Sequence, residues 1–233
     1  MIVLGIDLET TGFVPGTDRI TELGAVLWDT QEKTPLRLFC RTVQTSVELT
    51  PEIQRITGIK PHMVQAPHAI PIGQALYELH DLAEHADYYV AHNAPFDRSF
   101  IEHAAAHFQF PLKALPWIDT ITDVPYPDSI STRRLGYLAA EHGFLIPFAH
   151  RALFDVMAML KVLSLYDFAE VLKLQASPTL TIYGRHGYEN NATAKEHGFK
   201  WDAESKQWFR NIKECHYTEG MFPFRVVLDK KER

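Results

Sequence analysis

Cysteine is scarce in this chain: two in 233 residues, Cys40 and Cys215, far apart and without metal-ligand spacing. That excludes a disulfide framework and a thiolate zinc site. Long apolar runs are missing as well. No stretch approaches the roughly 18 uninterrupted apolar residues of a membrane-spanning helix, and no basic segment and cleavage site open the chain, so a cytoplasmic protein with no membrane partner is expected. A basic surplus is also lacking. The 23 Lys and Arg stand against 29 Asp and Glu, a net charge of −6, which taken alone argues against a polyanionic partner. The deficit is uneven, however. Residues 178–233 hold ten basic and eight acidic residues, for +2, which leaves 23 − 10 = 13 basic and 29 − 8 = 21 acidic residues ahead of them, for −8. Excess carboxylates gathered around metal ions invert the local field, so an acidic body can still bind nucleic acid.

What is present is an ordinary globular composition, 46% apolar, in a chain long enough for one sizeable core and a small appendage. "IVLGIDL", "RITELGAVLWDT" and "LRLFCRTV" read as strands, the first buried and the second alternating. "TPEIQRITG" reads as a short helix, capped by Thr50, with Pro51 in its first position and Gly58 at its end. "PIGQALYELHDLAEHAD" has helical spacing, and "YYVAH" is a short strand that breaks at Asn93. Helices follow from Phe96 and near "TRRLGYLAAEHG", and "HRALFDVMAMLKVLSLYDFAEVL" reads as one long last helix. Adjacent hairpin-like strands followed by strands alternating with helices predict an α/β fold, a mixed sheet with helices packed on it. "KLQASPTL" reads as a linker. Beyond it "TLTIYG", "GFKWD", "QWFRN" and "PFRVVL" read as short strands and "NATAKEHG" as a small helix. Domains at 1–175 and 178–233 are therefore expected, the second a small α+β unit.

The acids carry the chemistry. Asp7 and Glu9 end the first strand two residues apart, so they share one face and repel each other unless something neutralises them. Asp97 opens the helix after "AHNAPF". His150 and Asp155 in "HRALFD" lie roughly 140° apart if both are helical, and they converge only if His150 lies in the loop or first turn ahead of the helix. Three segments thus supply four carboxylates and a histidine, the donor set that a pair of hard divalent cations requires.

"DLETTG", "HNAPFD" and "HRALFD", in that order and spacing over residues 1–165, resemble the three motifs of the DEDDh (DnaQ-like) 3′–5′ exonucleases. The His-x4-Asp form of the last motif separates this branch from its tyrosine-containing relative. Chain length and the extra C-terminal region resemble the exonuclease X branch most. The resemblance implies an RNase H-like sheet and two Mg²⁺ or Mn²⁺. Asp7, Glu9 and Asp155 would hold the ion that carries the attacking water, Asp7 would bridge to the second ion, and Asp97 would assist through water. His150, with an ordinary pKa near ~6.5, would be the general base. The main chain around Thr10, Thr11 and Gly12 would approach the terminal nucleotide, and Ile56 and Ile59 of "RITGI" would wedge against the terminal bases unless they pack in the core. Asn93 would orient a phosphate or Asp97, or cap the next helix, and Asp119 would support the metal-binding acids from behind or, more simply, be a helix cap. The substrates implied are single-stranded or frayed 3′ ends, DNA ahead of RNA, with a homodimer left open.

Two other readings stand beside this one. A non-cutting binding or recruitment module would have lost one of the acids, and none is missing; a phosphodiesterase of small nucleotides would need a closed mouth. In the C-terminal region "GFKWDAESKQWFR" alternates Trp201, Trp208 and Phe209 with Lys200, Lys206 and Arg210. Such a hairpin either stacks bases and pairs phosphates or supplies the core of a unit with little else to bury.

Overall fold

A computed structural model describes residues 1–127 and 129–228. Strands β1 (Ile2–Thr10), β2 (Ile20–Asp29) and β3 (Thr34–Thr42) form an antiparallel meander, and β4 (Tyr88–Ala91) and β5 (Trp117–Asp119) extend it in parallel beyond β1. The resulting order is β3-β2-β1-β4-β5. Period-two alternation then sorts the β1 side chains into two cores. Leu4, Ile6 and Leu8 join Leu76 and Leu79 of α2 (Ile72–Ala83) and Phe100 and Ile101 of α3 (Ala94–His107). Val3, on the opposite face, joins Val156, Met159 and Leu160 of α5 (Ala152–Leu163), together with Leu138 of α4 (Leu135–Glu141) and Val171 of α6 (Phe168–Ala176). Each of these fully buried side chains contributes about 1.5–3 kcal/mol of transfer free energy, so a mixed sheet sandwiched between helices is the arrangement that buries both faces. A short α1 (Pro51–Thr57) lies between β3 and α2; the Thr50 side chain accepts the Ile53 N–H, and Gly58 ends the helix in the left-handed conformation at φ 72°.

Two close approaches set α5 on the sheet. A Cβ on Gly5 would lie 2.8 Å from the Leu160 Cδ1, and one on Gly24 would lie 2.5 Å from the Ala152 carbonyl carbon. The first turn of α5 therefore rests directly on the backbone of β2. The single long C-terminal helix read from the sequence is instead two, α5 and α6. Its break falls where the Asp167 side chain accepts the Ala169 N–H as a helix cap, after the Ser164 hydroxyl has turned back to the Lys161 carbonyl. The stretch read as a linker is partly ordered, since its first residues, through Ala176, belong to α6 and a strand starts at Thr179.

The chain divides into compact units at Met1–Leu172 and Lys173–Arg233. The second is an antiparallel sheet in the order β7-β8-β6-β9, built from β6 (Thr179–Arg185), β7 (Lys200–Asp202), β8 (Gln207–Lys213) and β9 (Arg225–Leu228), with α7 (Asn191–Glu196) beside it. Its core is Ile182, Ala194, Phe199, Trp208, Ile212 and Phe222. Cys40 and Cys215 are both free, and among the described residues no helix is long and apolar enough to cross a membrane.

Because Gly24 has backbone rather than a flexible side chain against it, Gly24→Val should overpack this contact and cost about 1–3 kcal/mol in urea unfolding. Divalent-ion binding should weaken with it, because the displaced turn carries Asp155. A valine variant with unchanged unfolding midpoint would show that α5 does not rest on β2 here.

Candidate active site

The face of β1 that begins with Val3 and Gly5 continues with Asp7 and Glu9, and the stripe of α5 that covers it begins with Asp155, one turn ahead of Met159. Sheet and helix periodicities therefore bring these three acids together. Asp97 comes from the other helical layer. Strand β4 pairs with β1 only as far as Gly5↔Val90 and ends at Ala91, which opens the edge of β1 beyond it. There the buried Asp97 carboxylate accepts the Leu8 N–H along with its own. The four carboxylates thus meet at the carboxyl ends of the parallel strands, where open α/β sheets place their ligands.

His150 lies just ahead of α5 in a left-handed conformation, φ 62°, which removes the helical-wheel objection. Its N–H donates to Asp155 Oδ2 at 2.8 Å, so one oxygen of Asp155 locks this turn while the other remains for a ligand. One ligand atom each from Glu9, His150 and Asp155 lie within 4.8 Å of one another. Burial first, and then the neighbouring acids, hold Asp7 well above the ordinary carboxylate range and push Glu9 up to about 8. Burial likewise raises Asp97 and Asp155. Crowded oxygen donors whose negative charge lacks compensation are what hard divalent cations take, so the residues present fit such ions.

Sequence reasoning missed the group that holds this cluster in place. Glu22 sits opposite Glu9 in the β1–β2 register and is 1% exposed. Arg151 donates to it with Nη2 at 2.6 Å and Nε at 3.1 Å, and the Ala152 N–H donates at 2.8 Å. The carboxylate of β2 thereby caps α5 from outside, where the residue at the cap position, Arg151, provides no side-chain cap. An acid inside the otherwise apolar "ITELGAVL" was the available signal. His92 was also missed. Its ring nitrogens bridge Thr120 Oγ1 at 2.8 Å and the Arg133 carbonyl at 2.7 Å, which ties the segment before α4 to β4 and β5, and burial holds its pKa below the ordinary value.

The remaining predicted residues divide. The Thr11 hydroxyl donates to Asp18 and accepts the Arg19 N–H, and the Thr10 hydroxyl donates to the Gly12 carbonyl. The space that a Gly12 Cβ would fill belongs to Asp18, so this glycine accommodates the loop's own carboxylate. Ile59 is fully buried with Leu49 and Val64, which removes it as a wedge, whereas Ile56 is exposed. Asn93 makes no side-chain cap. At φ 74° it presents its N–H to Asp119 Oδ1 at 3.0 Å, so Asp119 caps the turn into α3 rather than a helix of its own. In the second unit Trp208 is core, and Arg210 donates to the His197 carbonyl and lies over the Phe222 ring; Lys200 and Trp201 are exposed.

A carboxylate-lined end of a mixed sheet suits proteins that work with hard divalent cations, and comparison with known proteins says which family this is. The family model described as Exonuclease, of the RNase T type, matches residues 4–163. The chain belongs to this exonuclease family, and it shares the RNase H-like fold of solved exonucleases, among them the DEDDh member 3′hExo. It is 30% identical over 164 residues to the 3′-5′ exonuclease DinG of Staphylococcus aureus strain USA300 and 31% over 150 residues to that of Staphylococcus saprophyticus. Those alignments take in 69% and 63% of this chain but only 17% and 16% of the relatives. Among solved structures, Escherichia coli exonuclease I in complex with a dA16 oligonucleotide superposes with TM-score 0.62 at 18% identity, over 79% of this chain and 48% of that one. The nuclease domain of 3′hExo bound to rAMP gives 0.58 at 16%, over 70% and 90%. Exonuclease X with 5′ overhanging duplex DNA gives 0.51 at 20%, over 75% and 99%.

Arg151→Ala should leave the Glu22 carboxylate buried beside Glu9 without its counter-charge, with the Ala152 N–H still donating to it. Since Arg151 itself is a third exposed, the expected loss is about 2 kcal/mol, below the ~3–5 of a fully buried pair, with weakened divalent-ion binding. Calorimetric unfolding and a metal titration check both.

The acids also predict a pH dependence. With Glu9 raised from its ordinary 4.5 to about 8, the folded metal-free protein holds a proton that the unfolded chain releases, so its stability falls as pH rises across that window. Ion binding expels the proton, so the increase in melting temperature on adding Mg²⁺ should be larger at pH 8 than at pH 6. A metal effect that does not change with pH would contradict this.

Proposed function

We propose that residues 1–172 hydrolyse the terminal phosphodiester at single-stranded or frayed 3′ ends of DNA and release nucleoside 5′-monophosphates, with Asp7, Glu9, Asp97 and Asp155 holding two Mg²⁺ or Mn²⁺. The observation that carries this is the meeting of four acids from three segments, with His150 beside them, at the carboxyl ends of the parallel strands. When bound, such a pair of ions stabilises the charge that develops on the entering and leaving oxygens of the transferred phosphoryl group. His150 accepts the proton of the attacking water on its imidazole. Its exposure lets that proton pass on to solvent, and the locked left-handed turn keeps the ring beside the carboxylates. Asp97, fixed through the Leu8 N–H, presents its carboxyl group at the open edge of β1.

A cleft of about 720 Å³ borders Asp7, His150 and Asp155, and Thr132, Arg134 and Tyr137 also line it. It has room for a terminal nucleotide, and Arg134 offers a guanidinium to its phosphate. DNA is favoured over RNA because exonuclease I and exonuclease X, which share the fold, are both solved on DNA. The rAMP bound to 3′hExo makes RNA the comparison substrate.

Matched DNA and RNA strands labelled at the 5′ end provide the test. DNA should shorten from its 3′ end, stop in EDTA, resume with Mg²⁺ or Mn²⁺, and be inhibited by Ca²⁺, whose looser geometry misplaces the reacting groups. Undiminished cleavage in excess chelator would overturn the reading. Asp7→Ala should abolish both ion binding and turnover. His150→Ala should lower kcat by roughly 10²–10⁴ while leaving ion affinity nearly intact. A loss of ion affinity in the histidine variant would make His150 a ligand and reassign the base.

A further inference from the structure

The second unit has a concave face of about 1110 Å³ that takes no part in the chemistry above. Tyr188, 89% exposed, and Trp201, 51% exposed, stand on it, in a unit whose core is so small that leaving a tryptophan half outside forgoes a large share of the available burial. Trp201 is braced rather than loose. It pairs across β7 and β8 with Trp208, the rings 5.7 Å apart, and Trp208 is anchored in the core. Three cations from three different elements surround these rings: Arg185 at the end of β6, Lys195 on α7 with Nζ 6.0 Å from the Trp208 centroid, and Lys206 in the β7–β8 turn. Lys206 sits at φ 54°, a conformation that glycine or asparagine adopts more easily. Glu189 is the acid on the same lining.

We propose that this face is a second nucleic-acid site, which binds single strands along their length and independently of a 3′ end. Flat, braced aromatic faces accept any base by stacking, and cations spaced around them follow the phosphates, a combination that binds single strands without reading sequence. The charge balance agrees, since residues 178–233 carry +2 on a chain of −6. The site differs from the hairpin surface expected from the sequence, because Arg210 is committed to His197 and Phe222 and lies outside it, while Arg185, Tyr188 and Lys195 from other elements complete it. An acidic peptide would use the cations but not the exposed rings.

A closed circular single strand tests the site without engaging the cleft, because it has no end to cut, and binding is measured on the full chain in EDTA. Trp201→Ala should weaken binding of a circular oligo-dT about tenfold, and Trp201→Phe should restore most of it. Lys195→Ala combined with Lys206→Asn should reduce the log–log salt slope by about one and a half units. Hydrolysis of a dinucleotide in Mg²⁺ should be unchanged in all of these variants. If Trp201→Ala does not fold, as judged by its melting curve, the phenylalanine and lysine variants still decide. Unchanged circle affinity in the lysine variant would overturn the proposal. So would displacement of the circle by polyglutamate as effective as by oligo-dT, which would mark a general polyanion surface. Because no cleavage enters the binding measurement, the outcome is separate from that of the exonuclease reading.

Discussion

Mutual repulsion of carboxylates at one end of β1 is the constraint on which the rest of the molecule depends. Asp7, Glu9, Asp97 and Asp155 occupy a space so confined that burial and like charge raise all four above the ordinary range. A protein selected for stability alone would separate them, and here the structure around them works against separation. Strand periodicity points two of them the same way, α5 lays a third over them, and the premature end of β4 leaves an edge through which the fourth reaches the strand backbone. The stored repulsion is also what gives the cluster its affinity for cations, because each ion that enters removes several unfavourable interactions at once.

Holding α5 down against that repulsion falls to β2. Glu22 and Gly24 lie two residues apart on one face of this strand, and both address the first turn of α5. Gly24 removes the side chain that would lift the helix, and Glu22 accepts the Ala152 N–H and the Arg151 guanidinium. A fifth carboxylate so near the cluster adds to its repulsion, as its influence on Asp7, Glu9 and Asp155 shows, and the Arg151 guanidinium offsets part of that by lowering Glu9. The turn that carries His150 and Asp155 thus hangs on an ion pair whose two partners are 129 residues apart in the chain.

The two units follow different rules of construction. In the first, two cores on either side of a mixed sheet leave the side chains at the carboxyl ends of the strands free for function. In the second, six buried residues form the core among the described residues, and the aromatic residues that stabilise it are continuous with its outer surface: Trp208 is buried, and its cross-strand partner Trp201, on the same face of the sheet, is half exposed. A surface tryptophan there is supported by the fold without being needed to close it.

Much of the carboxylate cluster was legible along the chain because periodicity and motif spacing are local properties. Asp7 and Glu9 on one face, Asp97 at a helix start and the His-x4-Asp arrangement each occupy fewer than a dozen residues, and the mixed sheet followed from strands first adjacent and then alternating with helices. What stayed illegible depended on partners distant in sequence. The sequence pattern of "RITGI" is the same whether Ile59 meets Leu49 and Val64 or a substrate base. "WIDT" does not disclose that Asp119 caps a turn 26 residues earlier. The long final helix read from "HRALFD" onward was broken by a cap at Asp167 that competes with helical propensity. Local chemistry therefore determined which residues could react and on which face each would stand. Only the tertiary structure decided which of them meet, because a buried charge such as Glu22 is tolerated solely where the fold delivers its partner.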